Sequence, residues 1–97
     1  MAKFNGSGGC TVSIANNNLT FTYCHVSPTF IVCVGQKIQK GELIAYVGPK
    51  NVYGFAENIY HDSNGNPTNG ATTGSHLHLS ISENGIAVDP LKYVHVP

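Results

Sequence analysis

The chain has 97 residues, a formal net charge of zero and only 10% charged residues, well below the roughly 25% of an average domain. Its five basic residues are all lysines, so it lacks the clustered basic charge and guanidinium forks that phosphate recognition favours, and no nucleic-acid partner is expected. No apolar run approaches the roughly 20 residues that cross a bilayer, so no membrane is expected either, and the opening Met-Ala-Lys-Phe-Asn-Gly shows no signal peptide.

A chain of this length makes one small domain, residues 1–97. Its dominant period is two, with turn residues every eight to twelve positions, and this predicts a compact all-β fold of antiparallel sheet and hairpins. Cys10 to Ile14 alternates and is rich in β-branched residues. Asn16-Asn17-Asn18 follows as a turn, and Leu19 to His25 alternates apolar with polar as a half-buried strand does. Pairing these arms about Asn17 sets Cys10 opposite Cys24, where a disulfide fits, although a slip of one residue removes it. Three cysteines without a Cys-x-x-Cys pair make neither a disulfide framework nor a zinc knuckle.

Thr29 to Val34 is a third apolar run, and after two glycine turns a strand is expected at Leu43 to Val47. Residues 48–75 hold five Gly, two Pro and five Asn, and read as a long loop. His76 to Ser82 reads as a strand with Leu77, Leu79 and Ile81 on one face and His76, His78, Ser80 and Ser82 on the other. Asn84-Gly85 is a hairpin turn and Ile86 to Val88 returns.

His76-Leu77-His78 is the strongest candidate for chemistry. Two imidazoles at i and i+2 on a strand share a face about 6–7 Å apart and reach a common volume. The apolar face already fills the core, so these rings are not needed as filler. His25 ends another strand, and three histidines converge where the two strands lie close. Neutral imidazole is a common zinc ligand, and an imidazole off the metal serves as general base. His61-Asp62 reads as solvated loop, and His95 as surface.

The order of these elements resembles the lysostaphin-type (LytM-like) zinc metallopeptidases, which cut peptide bonds in bacterial peptidoglycan. Gly9-Cys10-Thr11-Val12-Ser13-Ile14 is similar to that family's Gly-Asn-x-Val-x-Ile strand, and Tyr23-Cys24-His25-Val26-Ser27 to its Tyr-Ala-His-Leu-Ser. The glycine-punctuated segment from Val34 to Gly48 follows its Val-x-x-Gly-x-x-Val-x-x-Gly-Gln-x-Ile-x-x-Val-Gly. Thr73-Gly74-Ser75-His76-Leu77-His78 resembles its Thr-Gly-Pro-His-Leu-His, and Val88-Asp89-Pro90 its closing Val-Asp-Pro. The resemblance spans residues 9–94. It implies a peptidase with His78 as zinc ligand, and with His76 and His25 acting beside the metal as base and as stabiliser of the tetrahedral intermediate.

The family also uses an upstream His-x-x-x-Asp that supplies two of its three zinc ligands. Here the first histidine is His25 and the first aspartate Asp62, so the resemblance is to the later part of the domain. Three expectations follow. The chain is a C-terminal piece of a larger peptidase, as an excised fragment or as one chain of a split protein whose second chain carries the missing segment; or it is a non-catalytic cell-wall-binding or assembly module, pairing with another chain through an exposed sheet edge; or His25, His76 and His78 hold zinc themselves, with Glu57, His61 or Asp62 folding over as base. Peptidoglycan peptides are the expected partner. The expected setting is extracellular, at a bacterial cell wall or in a phage particle that breaches one.

Overall fold

A computed structural model describes residues 2–39 and 41–90. Five strands form one antiparallel sheet in chain order: β1 (Ala2–Phe4), β2 (Cys10–Asn16), β3 (Leu19–Cys24), β4 (His78–Glu83) and β5 (Ile86–Val88). The all-β expectation holds. Both predicted hairpin turns form where short polar residues accept left-handed backbone: Asn17 at φ 54°, and Asn84 and Gly85 at φ 53° and 81°. Among the described residues no helix is long and apolar enough to cross a membrane.

The register departs from the expected one by a single residue. Ile14 pairs with Phe21 and Asn16 with Leu19, so the loop is Asn17-Asn18 rather than centred on Asn17. That slip puts Thr11, not Cys10, on the face of Cys24. The Thr11 hydroxyl hydrogen-bonds the Cys24 thiol, while Cys10 is fully buried on the other side. All three cysteines are free, and the Cys10–Cys24 bridge does not form.

The period of two sorts the sheet into two faces. One carries Phe4, Cys10, Val12, Ile14, Phe21, Tyr23 and Ile81. The other carries Thr11, Ser13, Thr22, Cys24, His78 and Ser80. The core gathers on the apolar face around Phe4, Cys10, Val12, Val26 and Val52, with Phe30, Val32, Ile44 and Phe55 packed against it. Phe55 stacks on Phe4 with ring centroids 5.0 Å apart. In β4 only Ile81 is fully buried; Leu79 is half-buried and Leu77 is 47% exposed.

The runs Thr29 to Val34 and Leu43 to Val47, expected as strands, are irregular, and one bridge, Val26 to Val47, ties them to the hairpin. Half-buried Phe30, Val32, Ile44 and Ala45 pack against the core without joining the sheet's ladder, while Ile31, Val34, Leu43 and Val47 stay exposed. Conversely, Ala2–Phe4 forms an edge strand that the opening sequence did not suggest. It pairs only with Cys10–Val12 and brings Phe4 into the core.

Residues 48–75 contain no strand, yet they are closely tied. Asp62 organises the middle: its Oδ1 accepts from the backbone N–H groups of Asn64 and Asn66, both at 3.0 Å, and its Oδ2 from Asn51 Nδ2 and Lys50 Nζ. These bonds, the Asn66 N–H foremost, hold the Asp62 carboxyl below its usual range. The expectation that His61-Asp62 is merely solvated loop is corrected for Asp62, whose carboxylate is a local hub. His61 is exposed and bonds only the Ile59 carbonyl.

Candidate active site

Two irregular segments and the ends of two strands build the site. The β3 ladder stops at Cys24, and His25 takes a left-handed backbone at φ 59°. A non-glycine residue holds that conformation only where its surroundings over-determine it. Here they do: His25 N–H donates to Gly8 O at 2.8 Å, Gly48 N–H to His25 O at 3.0 Å, and Val26 N–H to Cys10 O at 2.9 Å. The left-handed turn swings the imidazole out of strand alternation. The ring is buried, 6% exposed, with Nδ1 2.6 Å from the Asn69 carbonyl oxygen. A carbonyl can only accept, so Nδ1 carries the proton and Nε2 is left with the lone pair.

His78 opens β4, directly opposite Cys24. The strand begins at His78 and not at His76, so the expected i, i+2 placement of both rings on one strand is corrected. His76 comes from the preceding turn, which fixes its ring by its own bonds. Its Nδ1 lies 3.1 Å from Gly74 O and 3.1 Å from Thr72 Oγ1. The Thr72 hydroxyl donates to Gly74 O at 2.6 Å, so His76 Nδ1–H is the donor to both oxygens. His76 therefore shares the tautomer of His25.

The three predicted histidines do come together. The His25 ring centroid is 4.9 Å from that of His76 and 6.4 Å from that of His78. They line an open cleft of about 420 Å³ with Ser7, Cys24 and Ser80 on its walls. Burial raises the Cys24 thiol pKa, against the lowering effect of the Thr11 hydrogen bond, so the thiol is no activated nucleophile. Glu57 and His61 do not line this cleft, nor does Asp62, which is engaged in its own loop. A larger cavity of about 1030 Å³ lies under residues 32–39 and 41–44 against Ile14, Phe21 and Tyr23, and no histidine among the described residues lines it. His95 lies outside the described residues.

Sequence reasoning missed what holds the histidines in place. Asn69 is fully buried and every polar group it has is used. Its Oδ1 accepts from Cys10 N–H at 2.7 Å, and its Nδ2 donates to Val26 O at 2.9 Å and Pro49 O at 3.3 Å. Its N–H donates to Lys50 O at 2.8 Å and its carbonyl holds His25. Gly9, Gly48 and Gly70 surround it so closely that a Cβ on any of them would come under 3.0 Å from backbone atoms. The available signals were the Asn69-Gly70 and Gly8-Gly9 dipeptides, each also readable as an ordinary turn.

The antiparallel sheet and the segments beside it bring three imidazoles to one open cleft, two of them with Nδ1 held by backbone carbonyls. The family model for peptidase family M23 matches residues 1–90, and the chain belongs to that family. No solved structure matches the chain. The domain is thus of peptidase type, from a family that is generally metallopeptidase. Among the described residues no group of three or more His, Cys, Asp or Glu side chains is arranged to hold a metal ion. The residues described here therefore do not complete a zinc ligand set, which needs about three protein donors.

Proposed function

We propose that this domain hydrolyses peptide bonds in the cross-bridges of bacterial peptidoglycan, at the cleft of His25, His76 and His78. The observation that carries the reading is the shared orientation of His25 and His76, each with Nδ1–H held by a backbone carbonyl. The Nε2 of such a ring accepts the proton of a water attacking the scissile carbonyl. The new C–O bond forms and the C–N bond breaks. The imidazolium then returns that proton to the leaving amine.

Zinc enters this proposal as the family's metal, with His78 as one ligand and further donors beyond those that the described residues bring together. What the imidazoles do can be stated without it. The cleft walls are neutral, with Ser7 and Ser80 hydroxyls and the Ala71 methyl, and they suit small uncharged residues such as those of a cross-bridge. The setting proposed is a bacterial cell wall or a phage particle.

The described residues bring no three-donor group together, and the partly uncovered edge of β2 favours one second reading, a cell-wall-binding or assembly module of the same fold. β1 covers only Cys10–Val12 of the seven-residue β2, and another chain could pair along the rest of that edge. Zinc content measured by elemental mass spectrometry separates the two. Near one zinc per chain, lost in His78→Ala, supports the peptidase. No zinc after incubation with excess metal, together with retention on peptidoglycan without cleavage, supports the module.

A further inference from the structure

We infer that Asn69 is a positioning residue for His25, setting the tautomer with which that ring meets the cleft. The inference rests on the reading of the cleft as a peptidase site, and it names a group that never touches substrate.

A histidine in water exchanges between two neutral tautomers, and only the nitrogen without the proton can accept one. A ring that works through Nε2 needs its proton held on Nδ1. His25 has one partner for this, the Asn69 carbonyl at 2.6 Å. That carbonyl is itself held by the side chain of its own residue, because the Asn69 amide is bolted to three separate stretches of backbone: Cys10, Val26 and Pro49. Two of these residues flank His25 in the structure. Val26 follows it in sequence, and Cys10 O accepts the Val26 N–H. The side chain thus joins the backbone around His25 to the carbonyl that orients the ring.

The side chain chemistry is restrictive. Oδ1 meets a donor while Nδ2 meets two acceptors, so an amide satisfies all three and a carboxylate does not. A carboxylate at this place would set negative oxygens against the Val26 and Pro49 carbonyls. The crossing of Gly9 and Gly70 beside it leaves no room to shift. His76 serves as an internal reference, because its Nδ1–H is held by Gly74 O and Thr72 Oγ1, independently of the Asn69 side chain.

Long-range proton–nitrogen correlation spectra of the full chain test this, in wild type, Asn69→Ala and Asn58→Ala. The last removes a bond of the same loop, Asn58 Nδ2 to Thr68 O at 2.7 Å, without touching His25. Wild type and Asn58→Ala should show His25 as a single Nδ1–H tautomer. Asn69→Ala should show a mixture at His25 with His76 unchanged. Where Asn69→Ala does not fold, Asn69→Asp, which keeps the acceptor for Cys10 N–H, takes its place with the same expectation. A mixed or Nε2–H His25 in wild type overturns the inference, as does a His25 tautomer that survives both Asn69 substitutions. In zinc-loaded protein, kcat on cell-wall peptides should fall about 10–100-fold in the Asn69 variant, the range seen when a second layer of support is lost, with KM unchanged. If the tautomers behave as stated but wild type cleaves nothing, the positioning role stands and the peptidase reading fails.

Discussion

Replacing Gly70 with alanine tests how tightly the site is clamped. Gly70 sits at φ 73°, and a Cβ there would come under 3.0 Å from Gly9 N, Ser7 O and Gly8 C, all backbone atoms that cannot rotate away. The left-handed conformation costs alanine about 1–2 kcal/mol. Forcing an atom into a packed crossing adds about 1–3 kcal/mol. The sum is about 2–5 kcal/mol, a large part of the roughly 5–15 kcal/mol that holds a domain folded. Gly65 is the matched control: its φ is 82°, but a Cβ would meet nothing within 4 Å. Gly65→Ala should therefore cost only the conformational part, about 1–2 kcal/mol. The entropy that alanine removes from the unfolded chain offsets both equally, by about 0.4–1 kcal/mol. Urea unfolding followed by far-UV circular dichroism reads the difference. With a slope of about 1–3 kcal/mol/M for a small protein, Gly70→Ala should move the midpoint down by up to several times the shift of Gly65→Ala. Equal midpoints would refute the tight crossing of residues 7–9 with residue 70, and with it the reason Asn69 cannot move.

Other outcomes follow from burial and charge. Ile81→Ala should cost about 2–5 kcal/mol in the same assay, because Ile81 is 1% exposed, while Leu79→Ala should cost less, because Leu79 is only half-buried. Burial pushes the Cys10 thiol up to about 11 from 9.0. The folded state therefore resists ionising it, and the stability from this group, full below pH 9.0, should fall as pH rises through about 11; Cys10→Ser should flatten that fall in a pH series of urea midpoints. An alkylating reagent followed by mass spectrometry should label Cys33 first, Cys24 next and Cys10 last. The Asp62 carboxyl is held below its ordinary value of 3.8. It contributes stability above that pH, lost as pH falls through its folded value, so protection of the Asn64 and Asn66 amides against exchange, relative to free amides at the same pH, should fall in acid and lose that dependence in Asp62→Asn.

The hairpin β2–β3, the turn at Asn84-Gly85 and the strand from His78 to Glu83 were readable because a half-buried strand must alternate and a tight turn needs Asn or Gly. The convergence of His25, His76 and His78 was expected from the family resemblance and from alternation, but only His78 reaches the cleft from a strand. What was not readable depended on contacts distant in sequence. The register of β2 against β3 turns on whether Asn18 joins the loop, a choice local pattern does not make. His25 leaves strand alternation through a left-handed turn that Gly8, Cys10 and Gly48 impose from elsewhere. Thr29 to Val34 has strand composition, yet only Phe30 and Val32 pack partly against the core while Ile31 and Val34 are exposed, and such residues suit a half-buried surface whether or not the backbone pairs. Asn69 looked like one asparagine among five in a loop, and only its 59-residue reach to Cys10 sets it apart.

If the cleft of His25, His76 and His78 is a peptidase site, it cuts cell-wall peptides through these rings. The most direct test is release of new amino termini from purified bacterial peptidoglycan by zinc-loaded wild type and by His25→Asn. Asparagine tolerates the left-handed backbone at residue 25, so the variant keeps the fold while losing the imidazole. Wild type should release them, and the variant should lose about 10²-fold or more, the scale of one general acid–base group. Equal release by both proteins, or none by wild type carrying its zinc, would contradict the peptidase reading.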